Sequence, residues 1–154
     1  MVFIDYELKH ISAIYKPKRV LDIGAGELNQ SLELAREGIE VDAIEPSFQQ
    51  NIELPPNLHI YVTTAEQFEY PENTYDLIVF RMVAQRLQNA FVKNLFETTF
   101  LKTLRDKGII YFVIPANYNI PTKLENFYTI CGTHKFEVPT SDFKIIQSFI
   151  LQKR

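Results

Sequence analysis

The sequence is short of the residues that staple or punctuate small folds. Of its 154 residues one is cysteine, three are histidine, five are glycine and none is tryptophan. A single thiol, Cys131, closes no internal bridge, so a disulfide-built secreted domain is excluded and a reducing compartment is the expected home. His10, His59 and His134 have no metal-ligand spacing, and no metal is expected. No apolar run approaches the roughly 18 residues of a membrane-spanning helix. The opening Met1-Val2-Phe3-Ile4-Asp5 lacks the basic and apolar regions of a secretory signal. Positive charge is not in excess either. With 16 basic and 19 acidic side chains the formal charge is −3, which gives no reason to expect a nucleic-acid backbone as partner, although a local basic patch stays open. Repeats, low-complexity tracts and linker-like stretches are missing too. The expectation is a soluble, cytoplasmic chain with a single domain over residues 1–154: a helical N-terminal cover at 1–18 and a core at 19–154.

What is present is alternation. Short aliphatic and β-branched runs at 19–23, 40–45, 58–63, 76–80 and 109–115 predict buried strands. Helical spacing predicts a helix over 28–37, a long helix over 84–107 and a third over 121–131, with Gly38, Gly108 and Gly132 as their C-terminal caps. On the long helix Leu87, Ala90, Phe91, Leu95, Leu101 and Leu104 form the sheet-facing stripe. Val92, Phe96 and Phe100 form a second stripe, for a neighbouring helix or a homodimer contact. In the N-terminal segment Ile4, Leu8, Ile11 and Tyr15 make a packing stripe, while Tyr6 and His10 share another face. Strand and helix in alternation imply an α/β, doubly wound, mostly parallel sheet. The tail departs from this. Only residues 139–142 separate the strand-like stretches 135–138 and 143–153, too few for a crossover helix, so these two strands form an antiparallel hairpin. In the last of them Phe143, Ile145, Phe149 and Leu151 share one face, and Ile146 and Ile150 the other. A strand apolar on both faces belongs inside a sheet.

The most informative stretch is Arg19-Val20-Leu21-Asp22-Ile23-Gly24-Ala25-Gly26-Glu27-Leu28, a strand entering a G-x-G turn and then a helix. Glycines let the chain turn tightly and let a ligand approach backbone N–H groups at the positive end of the helix. Glu45 follows at the end of the second strand, 21 residues beyond Gly24, where a carboxylate can accept hydrogen bonds from ribose hydroxyls. A dinucleotide fingerprint would place its third glycine at position 29, which is Asn29 here. Asp22, two residues before the turn, would repel a pyrophosphate and attract an ammonium or sulfonium group. A nicotinamide-dependent oxidoreductase is therefore disfavoured, and a cationic adenosyl ligand is favoured.

These residues, with Ile44-Glu45-Pro46 at the second strand, Thr64-Ala65-Glu66 after the third and Tyr75-Asp76-Leu77-Ile78-Val79 at the fourth, resemble the class I S-adenosylmethionine-dependent methyltransferases, Rossmann-like and of the small-molecule type. The resemblance runs from about Arg19 to the C-terminus and implies a seven-stranded sheet of order 3-2-1-4-5-7-6. It implies S-adenosylmethionine as cofactor and S-adenosylhomocysteine as product. By the same likeness Gly24 and Gly26 line the methionyl part, Asp22 holds its amino group or an ordered water, Glu45 meets the ribose and Glu66 the adenine edge, with Ala25, Pro46 and Ala65 as further cofactor-binding residues. Phe80, Arg81 and Met82 border the transferred methyl.

One position departs from the family pattern. Its third loop glycine is Leu28 here, whose side chain either turns into the core or fills part of the pocket. Each site carboxylate also has a plain structural reading: Asp22 as an anchor for the loop, Glu45 as the cap of a short turn near Ser47. No catalytic base is singled out, and no N-P-P-Y or D-P-P-Y segment follows the fourth strand. The expected acceptor is a small molecule held by residues 81–85 and 116–120. The alternative is a catalytically silent cofactor-binding module that acts through a protein partner.

Overall fold

The computed structural model describes residues 2–49, 51–138 and 145–154. Seven strands, β1 (Arg19–Ile23), β2 (Glu40–Ile44), β3 (Leu58–Tyr61), β4 (Tyr75–Arg81), β5 (Leu104–Pro115), β6 (Tyr128–Glu137) and β7 (Ile145–Lys153), form one sheet of order β3-β2-β1-β4-β5-β7-β6. The five from β3 to β5 run parallel, while β7 is antiparallel to both β5 and β6. This is the order and hairpin that the sequence predicts, with β7 inside the sheet. The residues joining β6 to β7, with Phe143, lie outside the described ones.

Period-two alternation divides the strand side chains between two cores. Val20, Val41, Leu77, Val79, Tyr111 and Val113 face one side, beneath Leu8 and Ile11 of α1 (Val2–Tyr15) and Leu34 and Ala35 of α2 (Asn29–Arg36). Leu21, Ile23, Ile78, Phe80, Ile110 and Phe112 face the other, beneath α3 (Asn89–Asn94), the π-helical turn Leu95–Thr99 and α4 (Phe100–Thr103). The two packing residues of α1 are buried as its stripe requires. Tyr6 and His10 are exposed, Tyr15 is half-exposed, and the Ile4 side chain lies outside the described ones.

Three expectations are corrected. Residues 84–107 are not one helix: a 3₁₀ turn at Ala84–Arg86, α3, the π turn and α4 follow one another, and the chain is already in β5 at Leu104. Within this run Ala84, Val92, Leu95, Phe96 and Phe100 are fully buried, so the second stripe, with Leu95 of the first, is the sheet-facing one. Leu87, Phe91 and Leu101 pack at its margin and Ala90 is exposed. Residues 121–131 are not a helix either. Apart from a 3₁₀ turn at Leu124–Asn126 they run extended into β6, so Cys131 lies exposed on a strand rather than on a core helix face. Among the glycine caps Gly38 stands, its N–H donating to the Ala35 carbonyl at the end of α2. Gly108 and Gly132 instead lie within β5 and β6.

Candidate active site

β1 ends at Ile23, and the chain leaves the sheet through Gly24 (φ 70°) and Gly26 (φ 59°). Both angles lie in the left-handed region that costs a side-chain-bearing residue roughly 1–2 kcal/mol. The turn is fastened to β2, since the N–H groups of Gly24 and Ala25 both donate to the Ile44 carbonyl, at 2.9 and 3.1 Å. Gly24 is also a close approach: a Cβ there would lie 2.5 Å from the Val83 side chain. Two glycines one residue apart thus do different work. The first lets the turn after β4 pack against the turn after β1, and the second borders open space.

Glu45, the residue after β2, closes the other side. Its Oε1 accepts the Gly26 N–H at 2.8 Å, and its Oε2 accepts the Ser47 N–H at 3.1 Å and the Ser47 hydroxyl at 2.6 Å. Burial alone would raise its carboxyl above the ordinary value. The Ser47 bonds, the Gly26 bond and the Arg86 charge outweigh burial and hold it lower, so Glu45 is ionised at neutral pH. A carboxylate offers about four acceptor positions, of which the chain fills three, leaving one open to a ligand.

These groups line a cleft of about 450 Å³ at the carboxyl edge of the sheet, within the roughly 300–1,000 Å³ of small-molecule sites. Of the site residues expected from sequence, Gly24, Gly26, Glu45, Pro46, Ala65, Glu66 and Arg81 come together here, joined by Met82. Three are placed elsewhere. Phe80 is fully buried and stacked on Phe112 at 5.7 Å, because in β4 residues 78 and 80 face the opposite core from Arg81. Ala25 packs into the core beside Leu8 and Leu28. Asp22 lies below the turn, nearly inaccessible, accepting the Ser31 hydroxyl at 2.7 Å. Val83 of the expected acceptor loop and Thr64 of the third motif also line the cleft, with Arg86 and Leu87, which had no expected part in it. The last two were hidden by their assignment to a long helix, although a cation close after the fourth strand is a signal in its own right.

The Leu28 side chain is buried in the core beneath α1 and α2 and is not part of the cleft lining. Its backbone nevertheless has φ 69° and ψ 7°, the left-handed conformation of a glycine, at the N-cap of α2.

Burial pushes the Asp22 carboxyl above its ordinary value of 3.8, with the Arg81 charge and the Ser31 hydrogen bond pulling the other way. For an acid with a raised folded pKa, ionisation disfavours the fold. The penalty is absent below pH 3.8, grows as the pH rises and is complete above the raised value. Asp22→Asn keeps an acceptor for Ser31 and removes the buried charge. The ligand-free variant is expected to melt above wild type at pH 8, with the gap shrinking as the pH falls. Melting curves from pH 8 to pH 5 check this, and a variant less stable than wild type at pH 8 would show that Arg81 fully compensates the charge.

A G-x-G turn, a carboxylate closing the second strand and a sheet of order 3-2-1-4-5-7-6 define a Rossmann-like methyltransferase architecture. Residues 4–143 match the methyltransferase domain family, and the chain belongs to it. Among curated proteins the sequence has no significant match. Among solved structures it is similar to the N-methyltransferase NodS from Bradyrhizobium japonicum WM9, at 15% identity and a TM-score of 0.75 over 97% of this chain and 93% of that one. A second is the 1,6-didemethyltoxoflavin-N1-methyltransferase of Burkholderia thailandensis, at 15% identity and a TM-score of 0.69 over 95% and 77% of the two chains. That protein was crystallised with 1,6-didemethyltoxoflavin and S-adenosylhomocysteine bound. A third is the [4+2]-cyclase SpnF, at 12% identity and a TM-score of 0.71 over 97% and 80%. Identities this low speak for the fold alone.

The cleft suits an adenosyl ligand on its own terms. An ionised carboxylate with an open acceptor position faces a turn of positive-φ glycines, and Ile23, Ile44, Ala65 and Leu87 give the apolar surface that a base requires.

Proposed function

We propose that the chain is an enzyme that transfers a methyl group from S-adenosylmethionine to a small-molecule acceptor. The observation that carries this reading is the joining of Gly24, Gly26 and Glu45 at the open ends of β1 and β2, within one cleft of sufficient volume. The cofactor is S-adenosylmethionine and the product S-adenosylhomocysteine. Glu45 takes the ribose hydroxyls, Gly24 and Gly26 border the methionyl part, and Asp22 lies beneath its ammonium, directly or through an ordered water. Ala65 and Glu66 meet the adenine edge, with Pro46 beside the ribose. Residues 1–18 cover the core, and the free, exposed Cys131 suits a reducing cytoplasm.

When bound, the cofactor supplies a methyl group activated on a positively charged sulfur. The chain contributes alignment and a dry cleft, which supply much of the rate in a displacement of this kind. Glu45, held low and hydrogen-bonded, is not suited to remove a proton near neutral pH. That favours an acceptor atom with a lone pair already free, as in a neutral amine, and two of the similar structures are N-methyltransferases by name. The acceptor lies against the turn at 81–85, whereas residues 116–120, also expected to hold it, are not among the residues that line the cleft.

The second reading is a module that binds the cofactor without transferring the methyl. The similarity to a cyclase favours it, because this architecture also serves other chemistry. Calorimetry with S-adenosylmethionine, S-adenosylhomocysteine and a nicotinamide dinucleotide tests the cleft. The two sulfur ligands are expected to bind and the dinucleotide not, and silence from both sulfur ligands would defeat both readings. Labelled methyl donor incubated with a cell extract and the protein then separates them: transfer to a small acceptor supports the enzyme, and binding without transfer supports the module.

A further inference from the structure

Arg81 ends β4 on the same face of the sheet as Asp22 and Tyr111, and lines the cleft with its side chain about one-fifth exposed. Its guanidinium has one partner among the described residues, Asp5 of α1, whose Oδ1 lies 3.3 Å from Nη1. That is a long contact made by one corner of the group. The Nε–H is buried and has no acceptor among the described residues. A buried, charged donor left unpaired is costly, and native structures leave few of them. The planar guanidinium fork matches the two oxygens of a carboxylate, so the missing partner has a definite chemistry. Asp22 supplies the opposite sign on the same face: it pairs with Val79 of β4, two residues before Arg81, and the Arg81 charge acts on its carboxyl. Arg81 in the cleft, with Asp22 beneath the glycine turn, suits the end of an α-amino acid, its carboxylate at Arg81 and its ammonium on the side of Asp22.

We propose that Arg81 reads the carboxylate of an amino-acid group in this cleft, and that Asp5 of α1 is its stand-in partner, holding one edge of the guanidinium until that carboxylate takes the other. The inference rests on the reading of the cleft as an adenosyl site and deepens it. It assigns the N-terminal helix a part in ligand affinity, because a ligand carboxylate and Asp5 share one cation. Two sources offer the group: the methionyl end of the donor and its product, or an amino-acid acceptor.

Calorimetry distinguishes them. S-adenosylhomocysteine and its decarboxylated analogue are titrated into wild type, Arg81→Met, Arg81→Lys and Asp5→Asn, each first checked for a wild-type-like melt. If the donor supplies the carboxylate, wild type prefers S-adenosylhomocysteine by about 10- to 100-fold, the span of a good charge-assisted pair. Arg81→Met reduces that preference to within about threefold, and Arg81→Lys restores part of it. Asp5→Asn raises the affinity for S-adenosylhomocysteine a few-fold and leaves that for the decarboxylated analogue unchanged. It also serves as the test if Arg81→Met does not fold. A purely structural Arg81 would weaken both ligands equally. In a second arm glycine is titrated into protein saturated with S-adenosylhomocysteine. No preference in the first arm, with glycine binding that Arg81→Met abolishes, assigns the carboxylate to the acceptor. Indifference to the Arg81 and Asp5 substitutions in both arms overturns the proposal while leaving the adenosyl site standing. Failure of every adenosyl ligand to bind overturns the site itself and the proposal with it.

Discussion

Replacing Glu45 by alanine is expected to weaken S-adenosylhomocysteine binding about 100-fold. A hydrogen bond to a charged group is worth about 1.5–3 kcal/mol, and a ribose presents two hydroxyls. The chain already fills three of the four acceptor positions on this carboxylate, so the first hydroxyl takes the open position and the second must displace the Ser47 hydroxyl. The net gain is therefore nearer one strong bond than two, or about 3 kcal/mol, which is the 100-fold stated. Alanine also releases the Gly26 N–H and loosens the glycine turn, and Glu45→Gln separates the two effects. The amide keeps one neutral acceptor, for the Gly26 N–H or for Ser47 but not for both, and loses the charge, so it should recover part of the melting temperature and little of the affinity. Calorimetry beside thermal melts makes the comparison. An affinity within threefold of wild type in a folded Glu45→Ala protein would remove the ribose from this carboxylate.

The same carboxylate shows why so much of the site was legible in the sequence. Strand, glycine turn, helix and a carboxylate one strand later are local features, and each residue type is dictated by its place. Gly24 cannot carry a Cβ against Val83, and Glu45 fastens the turn by accepting the Gly26 N–H. Side-chain direction was less legible, because β4 alternates. Phe80 and Arg81 are neighbours in sequence, yet the first stacks in the core and the second reaches the cleft. The long helix was misread through its phase. Val92, Phe96 and Phe100 recur every four residues, which drifts around an ideal α-helix. The π turn at Leu95–Thr99 slows that rotation and keeps all three on the sheet. Gly108 is small because a side chain there would collide with Leu104 and the Arg105 carbonyl, a packing demand that resembles a cap signal in sequence.

The missed strand β6 has a different cause. Leu124, Phe127 and Tyr128 have helical spacing, but they reach the core from a 3₁₀ turn and the start of a strand, and the Tyr128 hydroxyl donates to the Phe96 carbonyl. Past Tyr128 the strand is mostly exposed, as an edge strand is, so no alternation of apolar and polar residues marks it. The β-branched Thr129, Ile130 and Thr133 were the remaining signal, and they pair with β7 across a register shift at residues 130–132.

Leu28 carries the second large expected effect. Its side chain is 1% exposed in the core beneath α1 and α2, and its backbone is left-handed. Leu28→Ala deletes a buried side chain and leaves a void, at a cost of about 2–5 kcal/mol of folding stability. Leu28→Gly deletes these atoms and Cβ as well, a further ~0.8 kcal/mol of lost burial, but relieves the left-handed strain that leucine and alanine both bear, worth about 1–2 kcal/mol. The looser unfolded chain of a glycine variant takes back part of that relief, of order 0.5–1 kcal/mol. The two variants should therefore lie within about 1 kcal/mol of each other, whereas inside a helix glycine is the worse by about 1 kcal/mol even before a missing Cβ contact is counted. Urea unfolding of the three proteins measures it. Because the leucine side chain points away from the cleft, both folded variants should bind S-adenosylhomocysteine within a few-fold of wild type. A glycine variant less stable than the alanine variant by about 2 kcal/mol would contradict the left-handed backbone. A tenfold gain in affinity on removing the side chain would put Leu28 in the cleft, where the family's third glycine leaves room for the ligand.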